Sequence, residues 1–262
     1  MIRNRKPRKI VSPAKTVSSN ETRIQKSYTS NKRRYLKTPI VTTKINVKKE
    51  PNVNLNHRQM NYSVVEPIFK GETVYLIGGG PSLRDFDWSR LVAKKTIAIN
   101  KAFYHHQSSQ VMYWTDSRFY TWYKDDIDKF KGLKYTLRKG HYNSDVKLLK
   151  RGEKYGMELA NDTLAHGNNS GYAAINLAYH LGARKIILLG YDMGNVSGKS
   201  HFHEGYPTRA TADEVYQKQF IPGFGAIYAA LKGKGIQVYN ACPGSNLRVF
   251  PMITLDKALS LS

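Results

Sequence analysis

The feature that most constrains this chain is a succession of short, almost uninterrupted apolar runs, each stopped by a glycine or a small polar residue. Thr73–Ile77 ends at Gly78-Gly79-Gly80, Lys95–Ile99 at Asn100, and Val111–Trp114 at Thr115-Asp116. Tyr135–Leu137 is a weaker run. Lys185–Leu189 closes at Gly190, and Ile236–Tyr239 at Asn240. Runs of four or five apolar residues without alternation are how strands covered on both faces read. Helical stretches are expected between them, at Arg118–Phe130, at the small-residue-rich Ser170–Leu181, and from Ala212 to Lys232 with a break at Pro222-Gly223. Strand and helix in alternation predict an α/β domain built on a mainly parallel, doubly wound sheet.

Charge divides the chain differently. Its net charge is +23, and residues 1–60 hold 16 Lys/Arg against only Glu21 and Glu50. A segment so basic, with few large apolar side chains, buries too little surface to order itself. Residues 1–62 are therefore expected to form a disordered basic tail, and residues 63–262 the folded domain. The tail reads either as a solubilising tether or as a segment attracted to polyanions such as nucleic acid. Aromatic residues are sparse in it, so a base-stacking platform is not indicated there. No run of 18 apolar residues exists, so no transmembrane segment is expected. Cys242 is the only cysteine, which excludes an internal disulfide and a cysteine-based metal cage and fits a cytoplasmic location.

In a doubly wound sheet, ligands bind beyond the carboxyl ends of the strands, so the residues after each apolar run carry the functional reading. The turn Gly78-Gly79-Gly80-Pro81-Ser82-Leu83 either is a tight structural turn or lets backbone amides approach a phosphate, with Pro81 suited to opening a helix. It lacks the spacing of a dinucleotide fingerprint and the lysine of a P-loop. Asn168-Asn169-Ser170-Gly171 opens the helix before the best strand, where Asn or Ser caps the helix and the remaining polar groups are available to a ligand. Asn100 and Asp116 stand on the same rim. Asp192 follows Gly190-Tyr191, and a loop with His201, His203 and Glu204 comes next. Those histidines read as a general base oriented by Glu204 or Asp192, as a surface pair, or as metal ligands. Asp125-Asp126-Ile127-Asp128 contains an Asp-x-Asp, but lies in a lysine-rich amphipathic stretch and reads as a solvated helix face.

Taken in order, Gly78–Leu83, Asp87-x-Ser89-Arg90-Leu91, Ile99-Asn100, Ser170-Gly171, Gly190-x-Asp192 and Cys242-Pro243-x-Ser245 resemble the Campylobacter-type α-2,3-sialyltransferases and the broader motility accessory factor glycosyltransferases. Leu188–Met193, His201-Phe202 and Pro243-Gly244-Ser245 bring the chain nearer to a group of phage-encoded proteins. The resemblance covers about residues 73–250. It implies a Rossmann-like domain that binds a nucleotide sugar as substrate, with no metal or other cofactor, and transfers the sugar with inversion to an acceptor hydroxyl. The resemblance assigns nucleotide binding to the glycine turn (Gly78, Gly79, Gly80, Pro81, Ser82), Asn100 and Ser170-Gly171. Asp116 and Asn169, on the same rim, complete the candidate set. His201 or His203 would be the base, with Asp192 beside it. The chain departs from the family at Gly79, where an asparagine is usual, at Gly167 for an arginine, and at Gly194 and Ser200 for two tyrosines that steady the departing phosphate. Against the transferase stands a different class, a non-enzymatic phage or virion-associated protein that reuses the fold and binds nucleic acid through its tail.

Overall fold

The computed structural model describes residues 61–195, 198–204, 207 and 210–261. Residues 1–60 of the expected basic tail lie outside the described residues. Seven strands form one all-parallel sheet: β1 (Thr73–Ile77), β2 (Lys95–Ile99), β3 (Val111–Trp114), β4 (Leu133–Thr136), β5 (Val146–Leu148), β8 (Lys185–Leu189) and β9 (Gln237–Asn240), in spatial order β5-β4-β3-β2-β1-β8-β9. A two-stranded parallel pair, β6 (Lys150–Arg151) with β7 (Thr163–Leu164), stands beside it. The helices are α1 (Ala102–His105), α2 (Ser117–Lys129), α3 (Ser170–His180), α4 (Asp213–Val215), α5 (Phe224–Gly233) and α6 (Leu255–Ser260).

Alternation along each strand explains the uninterrupted apolar runs. Val74, Leu76, Ile97, Ile99, Ile186 and Leu188 pack with α3 and α5 on one face. Tyr75, Ile77, Ala98, Met112, Ile187 and Leu189 pack with α1, α2 and α6 on the other. Successive side chains on a strand point to opposite faces, so a sheet covered on both sides needs apolar residues at every position. Val74 to Ile77 are all wholly buried. The doubly wound Rossmann-like arrangement follows: the chain steps outward from β1 to β5, then returns to place β8 on the other side of β1.

Several boundaries differ from the sequence reading. The fourth strand begins at Leu133, two residues early, because Lys134 sits inside it. That lysine is buried, and its ammonium is paired with Asp145, so a charged residue interrupts the apolar signal without interrupting the strand. β5 is a half-buried edge strand of three residues and carries too little apolar character to be read. The Ala212–Lys232 stretch breaks as expected at Pro222-Gly223: a π-helical turn (Tyr216–Phe220) and a 3-10 turn (Ile221–Gly223) separate α4 from α5. Pro81 opens only a three-residue 3-10 turn, not the helix expected after the glycines. No helix among the described residues is long and apolar enough to cross a membrane.

Candidate functional site

The adjacent strands β1 and β8 are where the sheet changes winding direction, and beyond their carboxyl ends lies the crevice such a switch point makes. A cavity of about 160 Å³ occupies it. Its walls come from the glycine turn after β1, Asn100 after β2, the Asn169-Ser170-Gly171 start of α3, Gly190-Tyr191 after β8, and His201. Topology thus brings together five short segments spread over more than 120 residues.

The glycine turn owes its composition first to packing. Gly78 N–H donates to the Leu189 carbonyl at 2.8 Å and Gly80 N–H to the Gly190 carbonyl at 2.8 Å, so the turn is zipped onto the end of β8. A Cβ on Gly78 would stand 2.6 Å from the Gly190 oxygen, and one on Gly80 would run into the Asp192 carboxylate. Asp192 then accepts from Ser82 twice, from its N–H at 2.8 Å and from its hydroxyl at 2.8 Å. Burial raises the Asp192 carboxyl above its ordinary range, while the Ser82 hydrogen bonds pull it back. Of the two readings of this turn, the tight structural turn accounts for Gly78, Gly80 and Ser82, while Gly79 N–H has no acceptor among the described residues. The amide that would face a phosphate after Pro81 is already bonded to an internal carboxylate, and Asp192 is engaged there rather than orienting a histidine.

The start of α3 is built the other way. The Asn169 side chain caps the helix by accepting from Tyr172 N–H at 2.8 Å. Asn169 N–H donates to the His166 carbonyl at 3.1 Å. The next two amides, of Ser170 and Gly171, belong to the first helical turn, whose N–H groups have no intrahelical acceptor. No acceptor among the described residues takes them. Tyr191 fixes this helix end to the sheet: its buried phenol donates to the Gly171 carbonyl at 2.9 Å. Tyr191 is itself clamped by the Cys242–Ser245 segment, its N–H donating to Cys242 Sγ at 2.9 Å and its carbonyl accepting from the Ser245 hydroxyl at 2.7 Å. Burial pushes the Cys242 thiol far up, which makes it a packing residue and not a nucleophile. Three non-glycine residues adopt left-handed backbone, Asn100 (φ 52°), Asn168 (φ 58°) and Met193 (φ 51°), and all three stand at this rim. Strained backbone concentrates where a site needs it, and Met193, unlike asparagine, has no local reason to tolerate it.

The histidine loop closes the pocket. Phe202 N–H donates to the Gly79 carbonyl at 2.9 Å, which sets His201 and His203 against the glycine turn. His201 presents its Cδ2–Nε2 edge: a Cβ on Gly79 would lie 2.9 Å from His201 Cδ2 and 3.6 Å from His203 Nε2. The orienting partner of His201 is the Ser200 hydroxyl, 2.8 Å from Nδ1. Neither carboxylate expected in that role serves it, since Glu204 is exposed and paired with Lys199 at 3.0 Å. The two rings stack with centroids 5.1 Å apart, and His203 stacks in turn on His105. Burial, with the Lys101 ammonium adding to it, lowers the His201 imidazole. Burial, together with His201, Lys101 and His105, takes His203 down to about 3. Both rings are therefore neutral at physiological pH. Among the described residues no group of three or more His, Cys, Asp or Glu side chains is arranged to hold a metal ion.

Asp116 stands apart from this cavity. It caps α2 and grips the Arg118 guanidinium in a neighbouring cleft that meets the pocket at Asn169 and Ser170. Asp126 and Asp128 lie on α2, accepting from Tyr104 and Tyr120 respectively. The sequence reading missed Lys101, whose ammonium donates to the Glu204 carbonyl at 2.6 Å, and Tyr216, which lines the pocket from the π-helical turn. Lys101 directly follows Asn100 and was reachable by reading one residue further along the rim. Tyr216 gave no signal, because it comes from a distant helical stretch. Compared with known proteins, the chain matches no family model, no curated protein and no solved structure.

Proposed function

We propose that this protein is a glycosyltransferase, sialyltransferase-like in its site plan, that moves a sugar from a nucleotide-activated donor to an acceptor hydroxyl with inversion. The observation that carries the reading is the placement of a neutral, half-buried histidine, His201, in the same switch-point cavity as the open first turn of α3. In this reading the nucleotide phosphate lies at the α3 start, beside Asn100 and Gly79. His201 Nε2 takes the proton of the acceptor hydroxyl. The acceptor oxygen then bonds to the anomeric carbon as the bond from that carbon to the phosphate oxygen breaks, and the leaving phosphate keeps the electron pair. The Tyr216 phenol in the cavity wall and Lys101, whose charge bears on His201, would oppose the developing charge, a task the family gives to two tyrosines whose places are Gly194 and Ser200 here. The resemblance also implies that the reaction proceeds without a metal, so transfer should survive chelation by EDTA.

The test is a melting-temperature screen of the full chain against nucleoside mono- and diphosphates and their sugars. A ligand at about 100 times its Kd adds about 2.7 kcal/mol, which is a shift of several degrees. His201→Ala should keep that shift and lose sugar transfer. If no nucleotide or nucleotide sugar moves the transition, the reading is wrong.

A further inference from the structure

Beyond the pocket, the carboxyl rim of the sheet continues into a trench. Thr115 to Arg118, Arg138 and the Asn168–Ser170 turn enclose a cleft of about 480 Å³. Ser117 and Arg138 also line the next cleft, of about 520 Å³, which is completed by Tyr62, Lys139, Lys150 and Arg151. The two are thus continuous with each other, and the first meets the pocket at Asn169 and Ser170.

The trench is strongly cationic. Asp116 is the one carboxylate lining it among the described residues, against Arg118, Arg138, Lys139, Lys150 and Arg151. Arg118 is paired with Asp116 and Lys150 with Asp162. Arg138, Lys139 and Arg151 have no carboxylate partner among the described residues. Arg151 reaches the buried His166 ring, its guanidinium 3.3 Å from Nδ1, and burial lowers that imidazole first, with Arg151, Lys154 and Arg138 lowering it further. Aromatic rings lie among these charges: the Lys150 ammonium is 5.6 Å from the Tyr62 ring centre, and the Arg118 guanidinium 5.2 Å from that of Trp122.

We propose that this trench binds a single strand of nucleic acid, with phosphodiesters on Arg138, Lys139 and Arg151 and bases against Tyr62. Guanidinium groups grip phosphate in a fork, and aromatic faces beside a cationic groove take bases of any sequence. A concave surface suits a strand. Reading a duplex groove needs a protruding helix or ribbon. Residues 1–60, which precede Tyr62 in the sequence, carry 16 Lys/Arg against two Glu and add to the chain's attraction for a polyanion. The inference does not depend on the chemistry of the pocket.

The experiment is fluorescence anisotropy of a labelled oligothymidylate with the full chain, titrated over a range of salt. The R138A/K139A double variant removes two exposed side chains, and its melting curve verifies that it is folded. It should bind at least about tenfold more weakly, with the slope of log K against log salt reduced in magnitude by about 1.4 for two lost contacts. Tyr62→Ala should weaken binding without changing that slope. The proposal is overturned if the wild-type chain does not bind the oligonucleotide, or if R138A/K139A binds with wild-type affinity and slope, which assigns binding to the tail. It is equally overturned if duplex DNA or polyglutamate competes as well as the single strand.

Discussion

Two glycine-bearing turns meet at the switch point, and they look alike in sequence but differ in what their amides do. The turn after β1 spends most of its N–H groups on the segment that ends β8: Gly78 and Gly80 bond to the Leu189 and Gly190 carbonyls and Ser82 to Asp192, and only Gly79 N–H has no acceptor among the described residues. The turn into α3 caps itself with Asn169 and leaves the Ser170 and Gly171 amides open to the cavity. A glycine-rich stretch is therefore no measure of ligand binding. Glycine permits close approach, and whether the approaching partner is a ligand or the protein itself depends on which group reaches the turn first.

The sharpest way to break this contrast is to add one methyl to each turn. Gly80→Ala drives a Cβ against backbone and a hydrogen-bonded carboxylate, and should destabilise the fold by about 3 kcal/mol. Gly171→Ala meets side-chain atoms only, nearest the buried Tyr191 ring edge at 2.9 Å, and should cost less, about 1.5 kcal/mol. Equal losses in urea denaturation would remove the distinction between the closed and the open turn.

Acid should separate the two walls of the pocket next. His203 and His201 titrate lower in the folded chain than when unfolded. Below about pH 6.5 the unfolded chain therefore takes up protons first. The stability these rings contribute is present above that pH and is lost as pH falls toward about 3. Asp192, raised by burial, acts with the opposite sign, since protonation favours the folded state. Between pH 7 and 4.5 the histidine effect should be on the order of 2 kcal/mol. Denaturation of His203→Gln at both pH values checks it, because the variant should lose most of that slope.

The smallest effect on stability sharpens the comparison most for function. Asn169→Ala removes the α3 cap and should cost about 1 kcal/mol. Asn169→Asp keeps the acceptor and should recover that stability. It also places a negative charge beside the open amides, so it should weaken the nucleotide-induced melting shift more than alanine does. Parallel melting curves with and without nucleotide separate the two outcomes.

Much of the fold was legible because burial on both faces leaves a simple pattern. β1, β2, β3 and β8 are bounded as the apolar runs predict, since every position there faces a helix layer. β4 was misplaced because Lys134 is neutralised by Asp145, a residue brought close only by the fold. The grouping of Gly79, Asn100, Ser170, Gly171 and His201 was legible too, because strand ends in such a sheet share one rim. The partner of each group was not. That Ser200 holds His201, that Asp192 serves Ser82, and that Asp116 turns to Arg118 in a separate cleft depend on distances of about 3 Å between residues far apart in sequence or on competing rotamers.

The sequence by itself determined the layered parallel α/β architecture, the rim on which polar residues gather, and the concentration of positive charge ahead of the domain. It could do so because apolar periodicity and charge are properties of consecutive residues. Only the tertiary structure decided which turn is closed and which is open, since a backbone amide carries no record in sequence of the acceptor that will reach it. In the proposed reading the phosphate therefore sits chiefly at the start of α3, where the Ser170 and Gly171 donors have no acceptor among the described residues, rather than on the conspicuous triple glycine alone.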